Sequence, residues 1–303
     1  MVLYSIYIGW HNTEMKLIAA ISGGVDSCVL LHMLKAEDHE LVVSHFDHRM
    51  RDDSDTDSRF VERLAETYDL DFELGESSQK LTSEAEAREA RWDFLRKVSN
   101  KHGADKIATG HHQDDALETS VINLMRGTGR HGFVSLHETS EILRPLLNMS
   151  KQEIHDYALK HSLEWVEDSS NRGDGYTRNK IRHHVLPKFN YFDRDLMLRL
   201  RASVASTNRY LDALLQEYTH EHFAVDERSA KSSRLKFTML PYKIRKELIH
   251  HLWRSLLYED IDSRDIERLV VAIATAKSGA IIDGSKKLKL DVQRTEFTLY
   301  LSS

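Results

Sequence analysis

The sequence predicts an α/β protein: a parallel sheet with helices on both faces, then a helical linker and a small α+β domain. Three observations carry this expectation. Short apolar runs alternate with helix-length amphipathic segments through the first half of the chain. A glycine-rich turn, Ser22-Gly-Gly-Val-Asp-Ser27, closes the first apolar run, Leu17–Ile21. Beyond about residue 190 the pattern changes to one long helical stretch, then to helices mixed with short strands.

In order, strand 16–21 leads to helix 26–35 and strand 41–46 to helix 53–68. Strand 71–74 leads to helix 83–101, opened by Ser83 ahead of the acidic Glu84 and Glu86, and strand 106–109 leads to helix 114–125. Repeated βα units of this kind make a Rossmann-like parallel sheet. Residues 126–150 read as irregular chain with Gly127, Gly129, Gly132 and Pro145, followed by helix 151–161 and a charged, glycine- and asparagine-containing stretch to 190. A helix over about 193–222 bridges to strands 236–239, 280–282, 288–292 and 296–301 and helices 242–257 and 263–276. The expected domains are therefore 1–190, a linker at 191–235, and 236–303. Ligands on such sheets bind beyond the carboxyl ends of the strands. Segments 22–27, 45–51 and 110–118 fall there.

At 303 residues and 41% hydrophobic content the chain has ample core. No apolar run approaches the ~18 residues that span a bilayer. The opening MVLYSIYIGWHNTEMK lacks a basic start, apolar centre and small-residue cleavage site, so a cytoplasmic protein is expected. Cys28 is the single cysteine, which excludes internal disulfides and cysteine-rich metal centres. Net charge is −6, yet residues 172–201 carry eight Lys/Arg against three Asp, and 228–254 carry eight against one acid. Such local excess suits a polyanion whatever the total, although solvated helix faces have the same signature.

Gly23 and Gly24 let backbone approach an anion, Ser22 and Ser27 add hydroxyls, and the turn opens a helix whose dipole favours negative charge. Asp26 would repel a phosphate unless magnesium lies between them. Neither Gly-x-x-x-x-Gly-Lys-Ser/Thr nor Gly-x-Gly-x-x-Gly is present. An ordinary glycine-rich turn is the plain alternative. In 45–51, His45-Phe-Asp-His-Arg-Met-Arg, Asp47 and His48 would contact a nucleoside or an incoming nucleophile, and the bland reading is a polar loop. In 110–118, Asp114 and Glu118 share a helix face beside His111, His112 and Asp115. Magnesium suits this set better than zinc. Helix capping explains one of the two aspartates.

The hexapeptide resembles the pyrophosphate loop of the ATP pyrophosphatase (PP-loop) superfamily. With His45-x-Asp-His-x-x-Arg51, Glu84-x-x-x-Arg88-x-x-Arg91 and Ala108-Thr-Gly-His-His-x-Asp-Asp-x-x-Glu-Thr119, the chain resembles the tRNA(Ile)-lysidine synthetases. The order continues through Leu124-x-Arg-Gly-x-Gly129, Leu143-Arg-Pro-Leu-Leu147, Trp165-x-x-Asp-x-Ser-Asn171, Tyr176-x-Arg-Asn-x-Ile-Arg182 and Leu186-Pro187. The resemblance spans roughly residues 16–190 and is looser over 240–303.

That resemblance implies an ATP-dependent ligase. The cytidine 2-carbonyl oxygen of the first anticodon base attacks the α-phosphate, pyrophosphate leaves, and free lysine displaces AMP. It implies that Ser22, Gly23, Gly24, Val25, Asp26 and Ser27, with His45 and Asp47, bind ATP, and that Asp26 and Asp115 hold Mg2+. Catalysis would rest on Asp26, His111, Asp114, Asp115 and Glu118, with Asp114 and Glu118 meeting the lysine amine and His111 facing the α-phosphate. Arg88, Arg126, Arg178, Asn179 and Arg182 would grip tRNA(Ile) with a CAU anticodon. The second domain would also bind tRNA, and a homodimer is admitted. The rivals are a PP-loop tRNA 2-thiolase, a small-molecule ligase of the NAD or GMP synthetase kind, and an inactive nucleotide- or RNA-binding protein.

Overall fold

A computed structural model describes residues 14–37, 39–49, 54–77, 83–167, 177–257, 262–284 and 287–302. Contacts divide the chain into two compact units, Met1–Arg201 and Ala202–Ser303. Among the described residues no helix is long and apolar enough to cross a membrane.

The first unit alternates β1 (Lys16–Ala20), α1 (Val25–Lys35), β2 (Glu40–Asp47), α2 (Ser54–Thr67), β3 (Asp71–Glu76), α3 (Glu84–His102), β4 (Lys106–Thr109) and α4 (Gln113–Met125). The stretch expected to be irregular holds α5 (Arg130–Phe133), a short strand β5 (Ile142–Leu143) and a 3₁₀ turn, Pro145–Asn148. Helix α6 (Lys151–Lys160) follows. Helix α7 (Thr177–Lys180) then runs into a π turn, Ile181–Val185, and a 3₁₀ turn, Leu186–Lys188. The sheet is parallel, in the order β3-β2-β1-β4-β5.

Strand alternation decides which helix covers which face. Leu17, Ala19, Leu41, Val43 and Ala108 pack with α1, α2 and α6 through Val29, Leu30, Val61, Ile154 and Ala158. Ile18, Val42 and Ile107 turn the other way, onto Leu95 and Val98 of α3. Ile18 sits level with Val42 on one side and Ile107 on the other. A one-residue slip would exchange the two faces. The chain leaves β1 toward β2 and β3, then returns to place β4 on the other side. The crevice at the carboxyl ends of β1 and β4 is thus the topological switch point.

Helix α8 (Tyr191–His222) contains the division between the units. The second unit holds β6 (Phe223–Val225), β7 (Ser229–Ser233), α9 (Arg234–Met239), α10 (Tyr242–Leu257), α11 (Ser263–Thr275), β8 (Ala280–Asp283), β9 (Leu288–Val292) and β10 (Glu296–Leu301). Its strands form an antiparallel sheet ordered β6-β7-β10-β9-β8. Ile266, Leu269, Val270 and Ile273 form the buried stripe of α11. Phe237 meets Phe297 edge-on at 5.0 Å in the same core.

Two sequence expectations change here. The strand expected at 236–239 is helix α9. Leu235, Phe237 and Met239 imitate a strand's alternation, but Ser233 caps the segment by accepting from the Lys236 amide at 3.4 Å. Strands β6 and β7 lie within 191–235, the stretch read as linker. The β7 sequence, Ser-Ala-Lys-Ser-Ser, has little strand propensity. Its pairing with β10, with Lys231 opposite Thr298, makes it a strand.

Candidate active site at the switch point

The turn after β1 is tight. Gly23 takes φ +91°, which favours glycine, and a Cβ there would lie 3.4 Å from Phe60. The Gly23 carbonyl accepts from the Val166 amide at 2.9 Å. Inside the turn the Ser27 hydroxyl accepts from the amides of Ser22 (3.2 Å) and Gly23 (3.1 Å) and donates to the Gly24 carbonyl (2.8 Å). Gly24 begins α1 with no side-chain cap. The first-turn amides of α1 thus donate to no cap side chain, an arrangement that can cradle an anion. Burial pushes the Cys28 thiol up to about 12, so it stays protonated and inert.

Gly110 lets the end of β4 abut this turn. A Cβ there would sit 3.3 Å from backbone atoms of Asp26 and Ser27. His112 then caps α4, its Nδ1 accepting from the Asp114 amide at 3.2 Å. Asp115 returns the contact, accepting from the His112 amide at 3.0 Å. This capping box is the role the sequence reading gave to one of the two aspartates. With Nδ1 an acceptor, the proton of neutral His112 is on Nε2. That nitrogen lies 3.5 Å from Asp115 Oδ2 and 3.9 Å from Asp26 Oδ1. The two carboxylates from the ends of β1 and β4 thus flank one imidazole. They are hard oxygen donors on a shared crevice, so the set fits Mg2+ completed by phosphate and water.

Each carboxylate already carries a cation. Lys151 reaches both oxygens of Asp26 at 2.6 and 2.8 Å. Arg194 pairs with Asp114 at 2.8 Å. Glu118 is fully buried and holds Arg182 through Nε (2.6 Å) and Nη2 (3.0 Å). Arg178 Nε adds an ion pair to Glu118 at 3.2 Å, off hydrogen-bond alignment, while its Nη2 donates to Thr119 at 3.0 Å. Arg182 also reaches Asp115 at 3.3 Å. Burial works against the Arg182 charge, but the Glu118 bonds and the nearby aspartates outweigh it and raise its pKa. Burial likewise opposes ionisation of Asp115, yet His112, His111 and the backbone bond hold it below the ordinary aspartate value.

His111 accepts from or donates to Thr109 Oγ1 at 2.9 Å. Burial drives its pKa down to about 3, and Arg144, Arg91 and Arg88 push the same way. The imidazole is neutral at physiological pH, so what it can offer an anion is a hydrogen bond, not a charge. Arg91 is likewise lowered by burial and by Arg88 and Arg178, and its Nε has no hydrogen-bond partner among the described residues. These like charges converge around His111.

His45 is buried at the end of β2 with Nδ1 2.8 Å from the Ile21 carbonyl. Buried Asp47 accepts from the Arg49 amide at 2.7 Å, stabilising Arg49 at φ +49°. Of the residues expected to hold tRNA, Arg126 is an exposed C-cap of α4 ahead of Gly127 at φ +67°, and Arg88 is exposed on α3. Asn179 lies on α7. Arg178 and Arg182 instead point inward onto Glu118. The motif residues 168–176 lie outside the described residues.

Sequence reasoning missed Lys151 and Arg194, and placed Gly110 in the 110–118 motif without giving it a role. Local signals existed only for Gly110, next to His111. Lys151 and Arg194 become site residues through contacts 125 and 80 residues away along the chain.

The chain belongs to the PP-loop domain family, whose profile matches residues 5–189. Within it, the chain is similar to the tRNA(Ile)-lysidine synthase of Thermotoga maritima, 34% identical over 221 residues covering 68% of this chain and 53% of that protein. It is 27% identical over 311 residues to the tRNA(Ile)-lysidine synthase of Bacillus subtilis, covering 94% of this chain and 66% of the relative. The chain spans about half the length of the first of these relatives. Among solved structures, the U34-tRNA thiolase of Methanococcus maripaludis with its [4Fe-4S] cluster shares the fold at TM-score 0.50 and 15% identity, over 64% of this chain and 73% of that one.

Proposed function

We propose that the chain is an ATP-dependent ligase acting in the cytoplasm, joining free lysine to carbon 2 of the first anticodon cytidine of tRNA(Ile) with a CAU anticodon. One observation carries the reading: the glycine turn after β1 and the carboxylate cluster of α4 meet in a single crevice at the switch point. The chemistry needs that meeting. A carbonyl oxygen is a poor leaving group and AMP a good one. The cytidine oxygen attacks the α-phosphate of ATP, breaking the bond to pyrophosphate. A lysine amine then attacks carbon 2, AMP leaves with the oxygen, and the amine gives up a proton.

In this reading the α1 amides, with Ser22, Gly23, Gly24, Val25 and Ser27, cradle the pyrophosphate. His45 and Asp47 shape the nucleoside side. Asp26 and Asp115 would hold Mg2+, which neutralises polyphosphate charge when bound. Neutral His111 donates a hydrogen bond to the α-phosphoryl oxygen while Arg91 supplies positive charge. Asp114 is placed to meet the amine and take its proton. Glu118, closed off by two guanidiniums, sets the positions of Arg178 and Arg182 instead. The target base must leave its stack, as a single-stranded loop permits. Arg88, Arg126 and Asn179 of the first unit and the basic second unit are read as contacts to tRNA.

The test is incubation with labelled lysine, ATP, Mg2+ and the tRNA(Ile) transcript. Label in RNA, dependent on ATP and accompanied by AMP release, is the expected result. Nucleotide release without label in RNA overturns the reading. The thiolase alternative is disfavoured by chemistry, because one buried, protonated cysteine supplies neither a cluster ligand set nor a persulfide pair.

A further inference from the structure

Lys151 is the first residue of α6, and its setting is unusual for a surface lysine. The helix start is fixed on both sides. Ser150 Oγ accepts from the Glu153 amide at 3.3 Å, and Glu153 accepts from the Ser150 amide at 2.8 Å. Ile154 and Ala158, further along α6, are wholly buried in the core shared with α1. The backbone that carries Lys151 is therefore held against α1, while the long side chain keeps its rotamers. A cation at a helix N-terminus opposes the helix dipole. Asp26 is what holds the ammonium there, at 2.6 and 2.8 Å from its two oxygens. Both groups remain partly open to the crevice, with side-chain exposures of 40% and 30%.

Asp26 stands in the first turn of α1, beside the anion cradle. Unneutralised, it would repel a polyphosphate. Lys151 on both oxygens occupies two of the lone-pair sites that a metal ion would draw on. The two cations compete for the same lone pairs. When a metal-bound polyphosphate enters, the ammonium must give up at least one Asp26 oxygen, and the next anion within reach is the polyphosphate. Three rotatable donors on a flexible stem suit such an exchange, which a planar guanidinium would make less readily.

We propose that Lys151 is a phosphate-binding residue kept in reserve on Asp26. It neutralises that carboxylate in the empty site and transfers to the terminal phosphates of ATP as the nucleotide binds, remaining on pyrophosphate as it leaves. This rests on the nucleotide reading above and names a residue that the sequence motifs did not single out.

The test uses the full chain, its K151M and K151R variants, and three probes: an ATP analogue with a methylene between the α and β phosphates, pyrophosphate, and Mn2+ without nucleotide. Charge-assisted contacts of this kind set the expected size. Calorimetry of K151M should show analogue and pyrophosphate affinity falling about tenfold or more. Electron paramagnetic resonance should show Mn2+ binding tighter by several-fold, because the competing ammonium is gone. K151R, which keeps the charge but exchanges less readily, should recover part of the nucleotide affinity. A lysine that merely ties α6 to α1 would lower the melting temperature of K151M and leave all three affinities unchanged, which overturns the proposal alone. A folded wild-type chain that binds no analogue overturns the nucleotide reading and this proposal with it.

Discussion

Two stretches of the chain carry an excess of positive charge, a net +5 over 172–201 and +7 over 228–254, and they spend it in different places. In the first, Arg178, Arg182 and Arg194 deliver guanidinium groups into the crevice onto Glu118 and Asp114. Its last member, Arg201, is buried and spends its donors on the carbonyls of Ala116, Phe133 and Leu136 and on Ser120. In the second, Arg234 closes the end of α11, donating to the carbonyls of Ile273, Ala274 and Ala276. Lys231 and Lys246 pair with Glu296 and Glu267. Sequence charge shows that a polyanion site is affordable electrostatically. It does not show which cations are left for the polyanion after the fold has used its share.

The largest expected effect comes from breaking the crevice network. Replacing Glu118 by alanine leaves Arg178 and Arg182 facing each other around a hole. Removing one partner of a buried ion pair costs about 3–5 kcal/mol, and the lower end applies because both arginines are partly solvated. Urea unfolding should show that loss, and on the proposed reading lysine transfer to RNA falls with it. A variant as stable as wild type would mean the network is ornamental.

Next is Arg234→Met, which orphans several carbonyls at the end of α11. A loss of about 2 kcal/mol is expected, with the salt dependence of tRNA binding unchanged. A reduced salt slope would instead place Arg234 on RNA and erase the contrast between the two stretches. Gly110→Ala comes third. Its Cβ would press on the Asp26 and Ser27 backbone at 3.3 Å. Overpacking of this sort costs about 1–3 kcal/mol. Because the shifted atoms carry the anion cradle, the weakening of ATP binding should exceed the change in stability.

His111 supplies a pH test. Its folded pKa, about 3, lies below the ordinary 6.5. Between those values the unfolded chain binds the extra proton, so this group's contribution to stability is complete above pH 6.5 and is lost as pH falls toward 3. His111→Asn should therefore flatten the stability profile of the first unit through that window. An unchanged profile would show that the imidazole is solvated after all. The smallest effect is Arg126→Gln, at an exposed helix end. Stability should move by no more than about 0.5 kcal/mol. The slope of log affinity for tRNA against log salt should fall by about one.

Much of the fold was legible because its information is local. Period-two and period-3.6 patterns set β1 to β4 and α1 to α4 to within two residues of their expected ends. The errors have local causes too. Leu235, Phe237 and Met239 present a strand's alternation on a helix, and β7 hides behind serines. Ser22–Ser27 and His111–Glu118 were equally visible, since each is one short segment with its chemistry in sequence.

The amino-acid order alone determined that a glycine turn and an acidic helix start would both fall at carboxyl ends of parallel strands. Only the tertiary structure decided which cation answers each carboxylate. Lys151 meets Asp26 across 125 residues, Arg182 meets Glu118 across 64, and Arg194 meets Asp114 across 80. Charge is a long-range property with no period along the chain, so its partners are chosen by where the packed sheet and helices bring the side chains together.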